Sequence, residues 1–462
     1  MSLLRWCSLV LALVSCTVHD EEAATLVDVV PEPPGSNCAN GGVAIESGVD
    51  TNRNGVLDPG EVTSTQYVCS AESTIACGSG SALKGAVTVE SAGDLAQLAG
   101  VTCIDGNLVI AGTDLTSMPE LNTLQTVTGS VAVAGNSSLA SLDDLSALEN
   151  VGAAYVIQGN PALTDVSEIV GLKRVETIEI VDNDSLASLA GLAPLVQLKS
   201  GLVISGNPAL TSLAGLDNVE TASAAVTINS NQNLTSIAAL SNLQSVGSLD
   251  ISNNNRLGTI VLPTLETIDV RATIEQNAAL ATLDLPALSS MGDGITVSSN
   301  PVLAELDLPQ LLLTGTLSIS GSTLLQNITA PQLAVASEDL TITTMPALQT
   351  VSFPSLAAVG GAVVFDGAAL SSFSGFSKLG TIGGQFWVQS ANITDFTGLA
   401  ALQSVAGNVV VTQNPNLDSF AGLTSISNID GNLTITSNPA LQPSVAQAFA
   451  QSVSVAGTTT IN

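Results

Sequence analysis

The sequence predicts an all-β protein dominated by one parallel β-solenoid of about 16 coils, and three observations carry that prediction. First, a phrase of alternating apolar and small polar residues recurs, clearest at Gly431-Asn432-Leu433-Thr434-Ile435-Thr436-Ser437-Asn438 and again at Gly201-Leu202-Val203-Ile204-Ser205-Gly206-Asn207. Such alternation is the pattern of a strand with one buried face, here followed by a residue that closes a tight turn. Second, the inward residue of that phrase returns through Val89, Ile110, Val133, Ile157, Ile180 and onward to Val411, Ile435 and Ile461, a spacing of about 23 residues that belongs to solenoids. Third, hydrophobic residues make up 45% of the chain but aromatics only 3%. A core of Leu, Ile, Val and Ala suits thin, regular layers stacked one on the next.

The N-terminal elements come before the coils. Met1 to Val14 carries one cation, Arg5, and the apolar run Leu9 to Val14, which is too short to span a bilayer and is shaped like a secretory signal. It ends Leu13-Val14-Ser15-Cys16, which resembles a bacterial lipobox. That resemblance implies residues 1–15 as a lipoprotein signal peptide and lipid on Cys16. Thr17 stands where the inner-membrane retention rule has Asp, so an outer-membrane or cell-surface address is expected, with the lipid as the link to the membrane. Residues 16–36, acidic and containing Pro31, Pro33 and Pro34, read as a solvated tether.

Residues 37–70 read as a small cassette bracketed by Cys38 and Cys69. Its centre, Asp50-Thr51-Asn52-Arg53-Asn54-Gly55-Val56-Leu57-Asp58-Pro59-Gly60-Glu61, matches the calcium-loop pattern. Asp50, Asn52, Asn54, Asp58 and Glu61 are the side-chain oxygen ligands, and the carbonyl of Val56 is the sixth. Flanking strand patterns, Gly42 to Ile45 and Val62 to Val68, make this a hairpin with a calcium-type loop, the ion acting as a structural staple. With Cys7 removed and Cys16 lipidated, Cys38, Cys69, Cys77 and Cys103 remain. An even number in an exported chain favours two disulfides; three pairings are open, and proximity favours Cys38 with Cys69 and Cys77 with Cys103.

The solenoid then runs over residues 77–462. One coil shows the template, with Leu417, Phe420, Leu423, Ile426 and Ile429 at steps of three and then Gly431, Leu433 and Ile435 at steps of two. Steps of three suit turn-like corners, and steps of two the strand. Three residues after the marker stand Asn136, Asn160, Asn183, Asn207, Asn231, Asn254, Asn277 and Asn300, and later Asn414 and Asn438. Inward Asn side chains there are expected to form a ladder that satisfies turn backbone groups. The ladder lapses at Ser322, Met345, Ala368 and Ala391, where Phe residues concentrate. Phe373, Phe396 and Phe420 hold one template position and predict an aromatic stack. Residues 443–452 read as a capping helix with Val445, Phe449 and Val453 on one side, and Cys77 and Cys103 bracket the first coil.

The opening of the repeats, Cys77, Asp94-Leu95-Ala96-Gln97-Leu98 and Val101-Thr102-Cys103-Ile104-Asp105-Gly106-Asn107-Leu108-Val109-Ile110, resembles receptor L domains, leucine-rich-repeat-like ligand-binding β-solenoids. The coil phrase is also similar to that of fungal cell-wall proteins. The resemblance implies a right-handed coil and a binding role, and leaves the partner open.

Charge narrows the functions further. Forty acidic residues against 9 basic ones give a net charge of −31, which repels nucleic acid and anionic lipid. On the outward strand face most residues are small hydroxyls, with two departures. Trp387, flanked by Val364 and Val410, makes an apolar strip suited to a sugar ring or a protein partner. Asp250 and Glu275, with Arg271 beside them, lie by coil geometry roughly 8 Å apart, a separation used by inverting glycosidases. A single cation and no histidine outside the tether make a surface ion pair the expected role of that cluster. The expectation is a non-catalytic, lipid-anchored surface protein that binds a glycan or protein. The alternatives are a carbohydrate-active β-helix enzyme using Asp250 and Glu275, or an envelope spacer.

Overall fold

The computed structural model describes residues 25–32, 35–38, 42–49, 51–52, 57–69, 75–78, 80–167, 169 and 171–462. The signal-like segment and Cys16 lie outside the described residues. Among those described, no helix is long and apolar enough to cross a membrane.

The bulk of the molecule is a parallel β-solenoid of about 16 turns with a repeat of about 23 residues. Seventeen strands among the described residues, from Val87–Val89 to Thr459–Ile461, form its main sheet. Every marker residue stands opposite the marker one coil away: Ile157 faces both Val133 and Ile180, and Val388 faces Phe365 and Val411. A one-residue slip would turn each apolar set outward, so the alternation fixes this register. The inward residues form one continuous buried column from Val89 to Val453.

The Asn ladder is present. Each Asn from Asn136 to Asn300 is fully buried. Asn160 donates from Nδ2 to the Val133 carbonyl at 2.9 Å, while its Oδ1 accepts from the Asn136 backbone N–H at 3.1 Å. One side-chain amide thus satisfies two backbone groups of the preceding coil. Just before the Asn, the chain turns through the left-handed region in coil after coil, at Gly206 (φ 66°), Ser230 (57°), Asn253 (57°) and Gln276 (56°). Where the Asn is replaced by Met345 and Ala368, those two residues are drawn into longer strands and pair with each other. Strand pairing there takes over the backbone bonding that the amide supplies elsewhere.

The coil cross-section changes along the rod. Early coils place short 3₁₀ turns on the side away from the main sheet, as at Asp143–Leu145 and Ala238–Leu240. Five later coils carry strands there instead, Thr259–Val261, Thr282–Asp284, Glu305–Asp307, Asn327–Thr329 and Thr350–Ser352, which join in a second parallel sheet. In those coils one step of three has become a step of two, as in Leu257, Ile260, Leu262 and Leu265, and a proline follows: Pro263, Pro286, Pro309, Pro331 and Pro354. The step of two is a strand period, and Pro suits the turn that ends it.

Both ends are closed. Cys77 and Cys103 are disulfide-bonded over a separation of 26 residues, and Leu95 and Leu98 from a short helical segment fill the first coil. At the other end the Pro443–Ser452 helix is built into the last coil rather than lying beyond it. It buries Ala446 and Phe449, with Val445 partly buried, and a final strand follows at Thr459–Ile461. The Phe stack runs Phe373, Phe396, Phe420 and on to Phe449, with centroids 5.7, 5.5 and 4.2 Å apart.

At the N-terminus the cassette is a hairpin, β2 (Gly42–Val49) and β3 (Val62–Cys69), flanked by a further strand, β1 (Thr25–Glu32). β1 pairs antiparallel with β2 along its whole length, from Thr25 opposite Val49 to Glu32 opposite Gly42. The acidic stretch read as tether therefore contributes residues 25–32 to the sheet. Alternation of Val27 and Val29 with Asp28 outweighs Pro31, which sits near the end of this edge strand, where a missing donor costs least.

Candidate functional site

The outward face of the main sheet has three distinctive stretches. In the first coils the outward residues Val109, Ala111, Ala132, Ala134 and Val156 are buried and form a cluster of their own. They are covered by the cassette, since β1 lies against Leu108–Ala111 and β3 against Ala154–Gln158. The apolar outward row was visible in the sequence as the only run of Val and Ala where later coils have Thr and Ser, and it marks a docking surface that the reading above missed.

Farther along, Val364, Trp387 and Val410 stand opposite one another on adjacent strands, as expected. All three are partly exposed, between the flanking Thr341 and Thr434. The strands that carry them are pinned from inside by Phe365 and Phe386, which pack against Phe373. The Trp387 Nε1 is shut off from solvent and has no acceptor. What the indole shows to solvent therefore excludes its donor.

Between these lie the acidic positions. Asp250 faces Thr273, and Glu275 faces Ser252 and Ser298, so the two carboxylates sit diagonally on neighbouring strands. The Asp250 Oδ1 is buried without a partner, and Glu275 accepts a bond from the Ser298 hydroxyl at 3.3 Å. Arg271 is exposed, and among the described residues the ion pairs are Lys173–Glu149 and Lys199–Glu176. The expected surface ion pair with Arg271 is not formed. Nearer the cassette, Glu179 is largely buried beside Val156 and Val203, its Oε2 unpartnered, and desolvation pushes its carboxyl up to about 7.

In the cassette loop, Asn52, Asp58 and Glu61 are brought together, while Asp50, Asn54 and Val56 lie outside the described residues. Glu61 is buried and accepts from the Thr51 hydroxyl at 2.7 Å and from the Asn52 and Asp58 backbone N–H groups at 3.0 and 3.2 Å. The Thr51 bond first, then those N–H groups, hold its carboxyl below the ordinary range. The Asn52 amide donates to Asp58 at 2.6 Å. These oxygens suit a hard cation, though the Glu61 carboxylate already acts as the internal knot of the loop. A Cβ on Gly48 would lie 1.9 Å from the Glu61 carbonyl, so the loop end is seated tightly on β2. Among the described residues no group of three or more His, Cys, Asp or Glu is placed to hold a metal ion. Cys38 is buried and disulfide-bonded.

A family model described as a domain of unknown function (DUF7151) matches residues 25–69, the span of β1 to β3. No curated protein matches the chain. Among solved structures, a leucine-rich-repeat (LRR) protein of Leptospira interrogans is similar at 14% identity, over 79% of this chain and 97% of that one, with a TM-score of 0.28.

Proposed function

We propose that this is a non-catalytic binding protein of a bacterial cell envelope, lipid-anchored through Cys16 at the outer membrane or cell surface, which offers its rigid sheet face to a glycan or protein partner. The observation that supports this most is the Val364–Trp387–Val410 row. The same molecule shows what an apolar outward row does when it has a partner, because the Val109–Val156 cluster is covered by the cassette. The Trp387 row is a second one, partly exposed on strands backed by a ring-packed interior, and aromatic anchors are where binding energy concentrates. Trp387→Ala is expected to abolish capture on a glycan array or in a surface pull-down while the melting temperature stays near wild type. Unchanged capture would overturn the proposal, and the absence of any ligand would favour an envelope spacer.

Calcium, held by the Asp50–Glu61 loop, is proposed as a staple of the cassette. Chelator is expected to lower the melting transition of the cassette in the full protein, and an unchanged transition removes the ion from the account. One observation favours a second reading. The unpartnered Asp250 Oδ1 beside Glu275 is a feature of a carbohydrate-active site. Release of reducing ends, lost in Asp250→Asn, would establish it.

A further inference from the structure

Cations are scarce in this chain, and three of the nine line one hollow. Lys173, Arg174 and Lys199 surround a cavity of about 280 Å³ on the side of the early coils. The hollow has a structural origin. The coil before it contributes the paired strand Asn150–Val151 and the coil after it Gln197–Leu198, but at this corner the coil between forms only a single bridge, Asn150 to Arg174. The pairing is interrupted at this corner alone, since Thr177–Val181 of the same coil pairs with both neighbours, and the gap is walled on one side by Ile75, from the connector between cassette and solenoid. Two parts of the chain about a hundred residues apart in sequence thus build one concavity.

Its charges are not all spent. Lys173 pairs with Glu149 at 2.9 Å and Lys199 with Glu176 at 3.6 Å, while Arg174 is exposed and makes no ion pair among the described residues. A guanidinium presents a planar fork of donors that matches a carboxylate, phosphate or sulfate two bonds at a time. On a surface of net charge −31, one unshared fork in a concavity is a local minimum for an anion. The remaining lining is mixed. Gln197 and Glu176 supply an amide and an acceptor, and Pro194 and the exposed Val196 supply an apolar edge. Acceptors beside donors suit hydroxyls, and the volume lies at the small end for ligand sites, near that of a single sugar ring.

We propose that the Arg174 hollow is a binding site for an anionic monosaccharide unit, with Arg174 taking the acidic group and Lys173 and Lys199 framing it. The site is independent of the Trp387 face. Titration calorimetry of the full protein with glucuronate, glucose 6-phosphate and glucose tests it. The expected result is saturable one-site binding of at least one of the two acidic sugars at millimolar concentration or below, none of glucose, and loss of affinity as salt rises. Arg174→Ala should weaken binding at least about tenfold, Arg174→Lys should weaken it less, and Trp387→Ala should leave it unchanged. No saturable binding of either acidic sugar, equal binding of glucose, or binding indifferent to both salt and Arg174→Ala would each overturn the proposal. The salt series uses the unaltered protein and stays decisive if a variant folds poorly.

Discussion

Asn207 shows how much one side chain carries in this fold. Its Nδ2 donates to the Ile180 and Ser205 carbonyls, both at 2.9 Å, and its Oδ1 accepts from the Asn183 backbone N–H at 3.1 Å. Asn207→Ala leaves the Asn183 N–H buried without its acceptor and removes the two bonds to carbonyls, and a buried unpaired group costs about 1–3 kcal/mol. A loss of about 3 kcal/mol is expected in urea unfolding, against near-neutral effects for outward Thr227→Ala. Glu179 works in the opposite sense. Its carboxyl is raised from an ordinary 4.5 to about 7 by burial, so folding favours its neutral form. Its contribution is therefore complete below pH 4.5 and is lost as pH rises through 7, a change of about 3 kcal/mol. Glu179→Gln should be more stable than wild type at pH 8 and about equal at pH 4, which melting curves at the two pH values read directly.

At the scale of elements, the closing helix is tied to the coils by the ring stack. Phe449 lies 4.2 Å from Phe420 and nearly parallel to it, the tightest contact of the series. Phe449→Ala is expected to cost about 3 kcal/mol and to raise hydrogen exchange across Leu433–Thr436 while leaving Leu202–Ser205 protected, because each coil leans only on its neighbours. The strand phrase, the Asn positions and the Phe column were legible in the sequence, since each is a periodic pattern and a solenoid turns sequence period directly into contact. β1 was not read because its acidic residues and Pro31 outweighed a short alternation, and the docking of the cassette was not read because packing between distant segments leaves no period. The trace of the docking was composition, Val and Ala on outward positions of the first coils. The second sheet left a plainer mark, one step of two followed by proline in five successive coils, which averaging over the whole repeat conceals. The Arg174 hollow comes from a missing strand pair, and a break in register between three coils has no signature in any one of them.

Over the whole molecule, about sixteen coils at strand spacing give a rod about 75 Å long. Small-angle scattering should return an elongated particle of that length, thickened at one end by the cassette. The lapse in the Asn ladder has a mechanical side. Tension along the rod loads the bonds between coils, and where the amides are present each junction carries them in parallel with the strand pairs. Between the coils of Asn300 and Ala391 the junctions lack the ladder amide, which returns where Asn414 bonds the Ala391 N–H and the Val388 carbonyl, so stiff and compliant stretches lie in series. Trp387 and its flanking valines straddle the end of the compliant stretch, since the Val364–Trp387 junction lacks the amide and the Trp387–Val410 junction has it, and the first of these is expected to part more readily than the second. A partner seated on that row would be released by a pull on the rod before the coils themselves unfold.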